Sequence, residues 1–340
     1  MKAVGYQQSL PIDDPQSLVD FETPIPQPGA RDLLVRVKAV SVNPVDTKVR
    51  MRKSATPGEH IILGWDAAGI VEETGEDCEL FKKGDEVFYA GALNRPGTNA
   101  EFHLVDERIV GRKPRTLDFT QAAAMPLTVL TAWELLFERL QAKPGKSFER
   151  GTILITGGAG GVGSMLVQLV RRLTPLQVVA TASRRPSRAW CLDLGAHCVI
   201  NHTLPMKPQL VEAGFPEIHL IASLTGTDKN FPELAGVLVP QGRIAVIDDP
   251  KNLDVTLLKQ KSASLHWEFM FTRSMFQTED MIAQHRILQE VSSLVDSGIL
   301  RTTLNKKLGP INAANLREAH RLLETGSMVG KIVLEGFGLR

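Results

Sequence analysis

The chain has 340 residues, of which 43% are hydrophobic and 23% are charged, and its formal net charge is +1. This length predicts two domains or one large α/β unit, and the composition is ordinary for a globular enzyme. The near-zero charge argues against a general nucleic-acid binder, which would carry a basic excess or a basic tail.

Three further patterns concern the compartment. The N-terminus lacks the apolar stretch and cleavage site of a signal peptide, and no apolar run reaches the roughly 20 residues that span a bilayer. The three cysteines, Cys78, Cys191 and Cys198, form no even framework and no CxxC pair. We therefore expect a cytoplasmic protein.

Three stretches follow one another along the chain. Residues 1–126 are predicted to form a mostly β domain, a partly closed barrel, because short apolar runs alternate with Pro and Gly turns. Residues 127–272 alternate β-branched runs with helical segments, which predicts a parallel, doubly wound sheet. Residues 273–340 contain two amphipathic helices and a final strand, and we assign them to the first domain. The six strands predicted for the middle stretch are Thr152–Thr156, Gln177–Ala182, Cys198–Asn201, Glu217–Ser223, Arg243–Ile247 and Ser264–Phe271.

The first strand of the middle stretch runs into a glycine-rich turn. Gly158, Gly160 and Gly163 match the GxGxxG fingerprint of dinucleotide-binding Rossmann domains. The following residues have apolar side chains at helical spacing, so Gly161, Val162 and Gly163 open a helix whose N-terminus favours phosphate groups. An ordinary tight turn is the alternative, but the strand before and the helix after it favour a cofactor site.

The end of the second strand indicates which dinucleotide binds. NAD enzymes place Asp or Glu there to hold the ribose 2′-hydroxyl, whereas this chain has Ser183, Arg184 and Arg188. Guanidinium groups can bind a 2′-phosphate through charge-assisted hydrogen bonds. The sequence therefore predicts NADPH, although a solvated basic start of a helix is the alternative.

These motifs together resemble the medium-chain dehydrogenase/reductase superfamily, its quinone oxidoreductase branch, and within that branch the zinc-type alcohol dehydrogenase-like proteins. The resemblance covers essentially the whole chain. It rests on seven motifs, which are Ser41–Asp46, Leu63–Gly69, Lys83–Val87, Pro126–Trp133, Gly158–Gly163, His266–Met275 and Gly330–Leu334.

The zinc in the name of that group does not match this sequence. By resemblance, zinc alcohol dehydrogenases hold catalytic metal with Cys, His and Cys, whereas this chain has Asn43, Trp65 and about Ala124 at those positions. Zinc prefers Cys and His ligands, and catalytic sites usually have three protein ligands. We expect no metal site. A zinc-free site suits reduction of a quinone or an activated double bond, because a few hydrogen-bond donors can hold the developing oxygen charge.

Catalytic candidates lie in the β-rich domain. Asn43 is predicted to donate its amide N–H in the pocket without metal, with a turn residue before Pro44 as the alternative. Asp46 is expected to orient Asn43 or contact the nicotinamide ribose, or else to cap the next segment. Trp65 is expected to wall the acceptor pocket or to pack in the core. Tyr89 is either a hydroxyl donor or a packed strand aromatic.

Additional cofactor contacts are implied by the resemblance or by position at strand ends. Thr131 resembles the nicotinamide-side threonine of the family, and His202 stands where the family often has an aromatic residue beside the adenine ribose. Leu224 and Thr225 are expected to border the adenine. Lys331 is predicted either to reach the cofactor or to be a solvated surface lysine.

We expect an NADPH-dependent enzyme that acts on a small-molecule acceptor and binds neither nucleic acid nor membrane. The predicted strand Ser264–Phe271 would be an exposed apolar edge in a monomer, which predicts a homodimer that pairs this edge. Two alternatives remain: a zinc-dependent alcohol dehydrogenase, and an NADPH-binding sensor or RNA-binding protein without turnover.

Overall fold

A computed structural model describes residues 1–145 and 151–338. The chain forms two compact units, the first from Met1–Leu130 with Phe271–Arg340 and the second from Thr131–Met270. In the described part of the chain, no helix combines the length and the apolar character that crossing a membrane requires.

Sixteen strands are found among the described residues. They are β1 Lys2–Tyr6, β2 Val19–Glu22, β3 Asp32–Val42, β4 Ile61–Ile62, β5 Ala67–Thr74, β6 Glu86–Tyr89, β7 Phe102–Asp106, β8 Val110–Arg112, β9 Thr152–Ile155, β10 Gln177–Thr181, β11 Cys198–Ile200, β12 Ile218–Ser223, β13 Leu238–Val246, β14 Ser264–Trp267, β15 Leu304–Lys307 and β16 Lys331–Glu335.

Ten α-helices lie within the same described ranges. They are α1 Pro44–Arg52, α2 Phe119–Ala123, α3 Pro126–Trp133, α4 Gly161–Leu173, α5 Arg185–Asp193, α6 Met206–Glu212, α7 Thr227–Val237, α8 Thr272–Phe276, α9 Ala283–Asp296 and α10 Ala313–Glu324. A π-helical segment, Glu134–Arg139, continues α3.

The first unit contains two sheets. The larger has the order β15-β16-β3-β5-β6-β8, with β7 also paired to β3, and the smaller has the order β2-β1-β4. The larger sheet is mostly antiparallel and is not fully closed, which agrees with the predicted β-rich domain with a partly closed barrel. Its long central strand β3 pairs with β5 and β7 and then, at its C-terminal end, with β16. This last pairing brings Val42 opposite Ile332 and leads the chain into the candidate site.

The second unit confirms the predicted doubly wound sheet. Its six strands are all parallel and have the order β11-β10-β9-β12-β13-β14. Helix α4 packs beside the sheet through residues that are almost continuously buried from Gly163 to Val170. Because the parallel strands end at one edge, the residues that follow β9, β10 and β12 are brought to the same edge of the sheet.

The boundaries differ from prediction at several elements. Strand β14 ends at Trp267 rather than Phe271, although Met270 and Phe271 are also buried. Periodicity cannot separate strand from buried loop in a short apolar run, which explains the error. The short helix α8 and the strand β15 were not predicted. Strand β15 was missed because it carries the polar sequence Leu-Asn-Lys-Lys.

Candidate functional site

The glycine turn of the second unit combines positions required by packing with one that is not. A Cβ on Gly158 would lie 2.7 Å from the Cβ of Ala180, and a Cβ on Gly163 would lie 2.5 Å from the carbonyl oxygen of Gly157. At Gly160, the nearest atom to a Cβ would be the Gly157 oxygen at 3.4 Å. Close protein packing therefore explains the first two glycines, whereas the space beside Gly160 fits a ligand that approaches the backbone.

The start of α4 supplies donors next to this space. Gly160 is the N-cap residue, and the helical hydrogen bonds begin with Ser164 N–H donating to Gly160 O at 2.8 Å. The backbone N–H groups of Gly161, Val162 and Gly163 precede that bond and have no acceptor within the helix. An arrangement of this kind favours the pyrophosphate of a dinucleotide.

The polar residues predicted for a 2′-phosphate follow β10. Ser183 and Arg184 are exposed, Arg184 is the N-cap residue of α5, and Arg188 lies one turn into that helix. Sequence analysis did not single out Ser187, whose hydroxyl is buried and has no hydrogen-bond partner among the described residues. Its position three residues after the N-cap was the available signal. These groups suit a phosphate better than a ribose hydroxyl.

Other predicted cofactor residues are distributed unevenly in this unit. Thr225 lies at the turn, since a Cβ on Gly157 would be 2.8 Å from its Cγ2, and Leu224 N–H donates to Thr156 Oγ1 at 2.8 Å. Thr131 is buried in α3. His202 is exposed, and partial desolvation of its ring together with the Lys229 charge lowers its pKa. Among the described residues, no hydrogen bond joins His202 to the glycine turn.

In the first unit, Lys331 lies at the centre of a buried polar cluster. Its ammonium donates to Val42 O at 3.1 Å, to Asp66 Oδ2 at 2.9 Å and to Asn43 Oδ1. The side chain is 4% exposed, so the alternative of a solvated surface lysine is wrong. Three acceptors use all three N–H groups of an ammonium, so a contact with the cofactor would require one of these bonds to break.

The Asn43 amide is part of the same cluster. Its Nδ2 donates to Asp66 Oδ2 at 2.8 Å and to Ser41 O at 3.4 Å, while its oxygen accepts from Lys331. The residue is 1% exposed. Both amide N–H groups therefore have acceptors within the protein, and donation to an acceptor molecule, as predicted, would require a rearrangement of the amide.

Asp66 connects these groups and was not among the predicted site residues. Its other oxygen accepts the Leu127 N–H at 2.7 Å, and its side chain is fully buried. Burial raises the pKa of the Asp66 carboxyl, and the Lys331 ammonium opposes this effect. The available signal was a carboxylate between Trp65 and an apolar strand, since a buried charge requires a partner.

Asp46 lies on the first turn of α1, where it accepts the Asn43 backbone N–H at 2.7 Å. Through this bond Asp46 caps the helix and fixes the backbone of Asn43, whereas the predicted contact with the nicotinamide ribose stays a prediction. Burial raises the pKa of Asp46 to about 7, against the backbone hydrogen bonds from Asn43 and Gly64.

Tyr89 forms a buried pair with His103. The two rings stack at 5.5 Å, and the Tyr89 hydroxyl lies 3.2 Å from His103 Nδ1. His103 Nε2 lies 3.0 Å from the carbonyl oxygen of Pro96, which can only accept, so Nε2 carries the proton and Tyr89 donates to Nδ1. Burial lowers the pKa of His103 to about 4. Tyr89 is thus a packed strand aromatic with its hydroxyl in use, which was the predicted alternative.

Trp65 is a buried side chain at the wall of a cavity of about 780 Å³ within the first unit. Its indole N–H donates to Ala92 O at 3.1 Å, and its ring meets Phe271 edge-to-face at 6.4 Å. The side chain is 3% exposed, yet it lines the cavity together with residues of β2, α1, β4 and the segment Leu93–Pro96. Trp65 is therefore packed in the core, as one predicted alternative has it, and also lines this cavity, while its role as a wall of the acceptor pocket stays a prediction.

Zinc does not fit the residues at the predicted ligand positions. The Asn43 oxygen already accepts from an ammonium, the Trp65 nitrogen is a donor, and Ala124 has no ligand atom. Across residues 1–145 and 151–338, no group of three or more His, Cys, Asp or Glu side chains is arranged to hold a metal ion.

Comparison with known proteins identifies the family. The Alcohol dehydrogenase GroES-like domain matches residues 29–115, and Zinc-binding dehydrogenase matches residues 194–334. A zinc-type alcohol dehydrogenase-like protein of Staphylococcus epidermidis is 36% identical over 337 residues, covering 98% of this chain and 99% of that protein. The chain belongs to the zinc-type alcohol dehydrogenase-like proteins. These are oxidoreductases of the medium-chain dehydrogenase/reductase superfamily, as the resemblance implied.

Two further members of the superfamily are similar to this chain. The quinone oxidoreductase of Rattus norvegicus is 29% identical over 324 residues, covering 91% of each chain. The crystal structure of a provisionally named zinc-dependent alcohol dehydrogenase from Rhizobium etli CFN 42 is 55% identical, with a TM-score of 0.95 and coverage of 100% of this chain and 99% of that one. Names in this superfamily thus include both metal-dependent and quinone-reducing members.

Proposed function

We propose that this oxidoreductase uses NADPH to reduce a quinone or an α,β-unsaturated carbonyl compound without zinc. One observation carries the proposal: an amide, an indole and a methyl group occupy the ligand positions, and the amide oxygen accepts from the Lys331 ammonium. Oxidation of an unactivated alcohol depends on a Lewis acid that stabilises the alkoxide. Hydride addition to a conjugated acceptor has no such requirement.

The cofactor assignment is supported by two features of the second unit. The space beside Gly160, together with the first N–H groups of α4, suits a pyrophosphate. Ser183, Arg184 and Arg188 at the end of β10 suit a 2′-phosphate, and the Ser187 hydroxyl is a further donor there. When bound, NADPH would supply a hydride to the acceptor.

The chain itself would position the acceptor and limit its contact with water. We propose that the acceptor lies against Trp65 in the cavity, because hydrogen bonding to Ala92 and packing on Phe271 fix the ring. Asn43 and Asp66 would hold the backbone next to Trp65 in place through the cluster around Lys331. The proton that completes the reduction would come from water, since Tyr89 already donates to His103.

The decisive experiment measures NADPH and NADH oxidation with a panel of quinones, enones, enals, and simple aldehydes and ketones, while alcohols are tested with NADP⁺. We expect turnover of quinones or enones with NADPH, unchanged by chelators, and well under one zinc per chain by metal analysis. Zinc near one per chain, lost together with alcohol oxidation on chelation, would replace this proposal with a zinc-dependent alcohol dehydrogenase.

We also propose a homodimer in a reducing cytoplasm. Strand β14 is at the edge of its sheet and carries Trp267 with 55% of its surface exposed, which suits pairing with a second copy. The three cysteines are free thiols. Light scattering at increasing concentration should give twice the chain mass, and Trp267→Lys should shift it toward the monomer. A monomer at all concentrations would refute the assembly.

A further inference from the structure

The cavity beside Trp65 has a wall of apolar side chains that the fold leaves partly exposed. Phe21, Ile61 and Ile62 come from the three-stranded sheet, Val49 comes from α1, and Leu93 follows β6. Each is half-buried, whereas neighbouring Leu63 is fully buried. The partly exposed apolar surface that gathers around one cavity is typical of a small-molecule site.

The size of the cavity constrains its occupant. About 780 Å³ lies within the range of 300–1,000 Å³ that pockets for drug-sized ligands occupy. A small acceptor such as a simple enone would fill only part of it. The rings of Phe21 and His60 stack with centroids 4.2 Å apart, and both residues line the same cavity as Trp65.

The charges around the cavity do not select an anion. Its charged lining residues are two carboxylates, Glu22 and Glu59, and two cations, Lys53 and Arg95. Arg95 is committed to Asp32 through two hydrogen bonds of 2.7 and 2.9 Å. Lysine alone against two carboxylates offers poor binding to a carboxylate or phosphate group.

We infer that the acceptor of this enzyme is neutral and mainly apolar, with a hydrocarbon or aryl substituent that lies along the wall formed by Phe21, Val49, Ile61 and Ile62. Acceptors whose substituent ends in a carboxylate or carries phosphates, as acyl thioesters of coenzyme A do, are disfavoured. This inference rests on the proposed function, because it describes the substituent of the molecule that would be reduced beside Trp65.

The first experiment compares straight-chain enones with one reducible head and substituents of increasing length, each paired with a carboxylate-terminated analogue. We expect kcat/KM with NADPH to rise by up to about fourfold for each methylene that is buried. The carboxylate analogue should be at least about tenfold poorer than its neutral partner. A flat dependence on length, or a preference for the carboxylate, would overturn the inference while leaving the proposed function intact.

Two substitutions locate the effect in the cavity. Ile61→Ala should lower the gain per methylene, with Ile25→Ala as its control, since Ile25 is 45% exposed and lies outside the cavity. Glu59→Lys should improve the carboxylate analogues by about twofold to fivefold, with the exposed Glu76→Lys as its control. The control changes Ile25→Ala and Glu76→Lys should leave turnover of the shortest enone unaltered. Equal effects at the control positions would refute the location.

Binding without turnover separates the two failures. Saturated long-chain ketones, which lack the conjugated double bond, are titrated into the protein with NADPH by calorimetry. Affinity that rises with chain length and falls in Ile61→Ala supports the cavity even if no enone is reduced, which would then count against the proposed function alone. No binding of any ketone would overturn the inference.

Discussion

The glycine turn and the cluster around Lys331 differ in whether their polar groups have hydrogen-bond partners within the protein. The first N–H groups of α4, at the glycine turn, have no acceptor within their helix, and the buried hydroxyl of Ser187 in α5 has no hydrogen-bond partner among the described residues. In the cluster, the polar groups of Lys331, Asn43 and Asp66 have partners in one another and in the backbone of Ser41, Val42 and Leu127, and the three side chains are almost inaccessible. Polar groups without a partner in the protein can bind a ligand, whereas polar groups that bond to one another hold the backbone in place. The residue type alone does not tell these two kinds of group apart.

The largest expected effect is a loss of stability when the cluster around Lys331 is disrupted. Lys331→Met removes the ammonium and leaves the buried Asp66 carboxylate without its charge partner, which should lower the free energy of unfolding by about 3–5 kcal/mol. Lys306→Met on the exposed part of β15 serves as control and should change it by less than about 0.5 kcal/mol. Denaturant titration measures both. A stable Lys331→Met variant with weakened NADPH binding would instead favour the predicted contact with the cofactor.

Arg184→Glu tests the proposed 2′-phosphate site that follows β10. Loss of a charge-assisted hydrogen bond should weaken NADPH binding by about 1.5–3 kcal/mol and leave NADH binding nearly unchanged. Arg172→Glu, an exposed change of the same charge near the end of α4, is the control. Fluorescence titration with both cofactors measures the selectivity. If the wild type binds NADPH and NADH equally, the assignment of the 2′-phosphate site is refuted.

Two glycines of one turn sharpen the comparison further. Gly163→Ala would place a Cβ 2.5 Å from backbone, so the free energy of unfolding should fall by about 1–3 kcal/mol. Gly160→Ala meets only one atom at 3.4 Å and should cost less than about 1 kcal/mol, yet it should weaken NADPH binding. Thermal melts and cofactor titrations separate the two. The reverse order of stability would show that Gly160 serves packing.

A smaller effect per pH unit is expected from the buried pair of Tyr89 and His103. The folded protein holds His103 neutral with a pKa of about 4, whereas the unfolded chain protonates it near pH 6.5. Stability from this group is therefore present above about pH 6.5 and is lost as the pH falls toward 4, by at most about 1.4 kcal/mol per pH unit. Unfolding titrations between pH 4.5 and 7.5 should show a flatter dependence for His103→Phe than for the wild type. Equal slopes would contradict this assignment.

The sequence predicted the glycine turn and the residues after β10 because both depend on local rules. A tight turn requires glycine whatever the rest of the fold is, and the end of a strand is marked by residues close to it in sequence. The network of Asp66 could not be predicted in this way, since 265 positions separate Asp66 from Lys331 along the chain. Asn43 and Lys331 could be predicted as site residues from the sequence. Only the three-dimensional structure shows that the Lys331 ammonium donates to the Asn43 amide oxygen.

The pairing of β16 with β3 has a consequence for synthesis on the ribosome. The C-terminal end of β3 pairs with a strand that begins at Lys331, which follows Val42 by 289 positions along the chain. The second unit is one continuous segment, Thr131–Met270, and can be completed while the first unit still lacks its last strand. Until β16 emerges, the carboxylate of Asp66 has no ammonium to neutralise it. We therefore expect the nascent first unit to remain incomplete until β16 has emerged, and to need protection from aggregation for that interval.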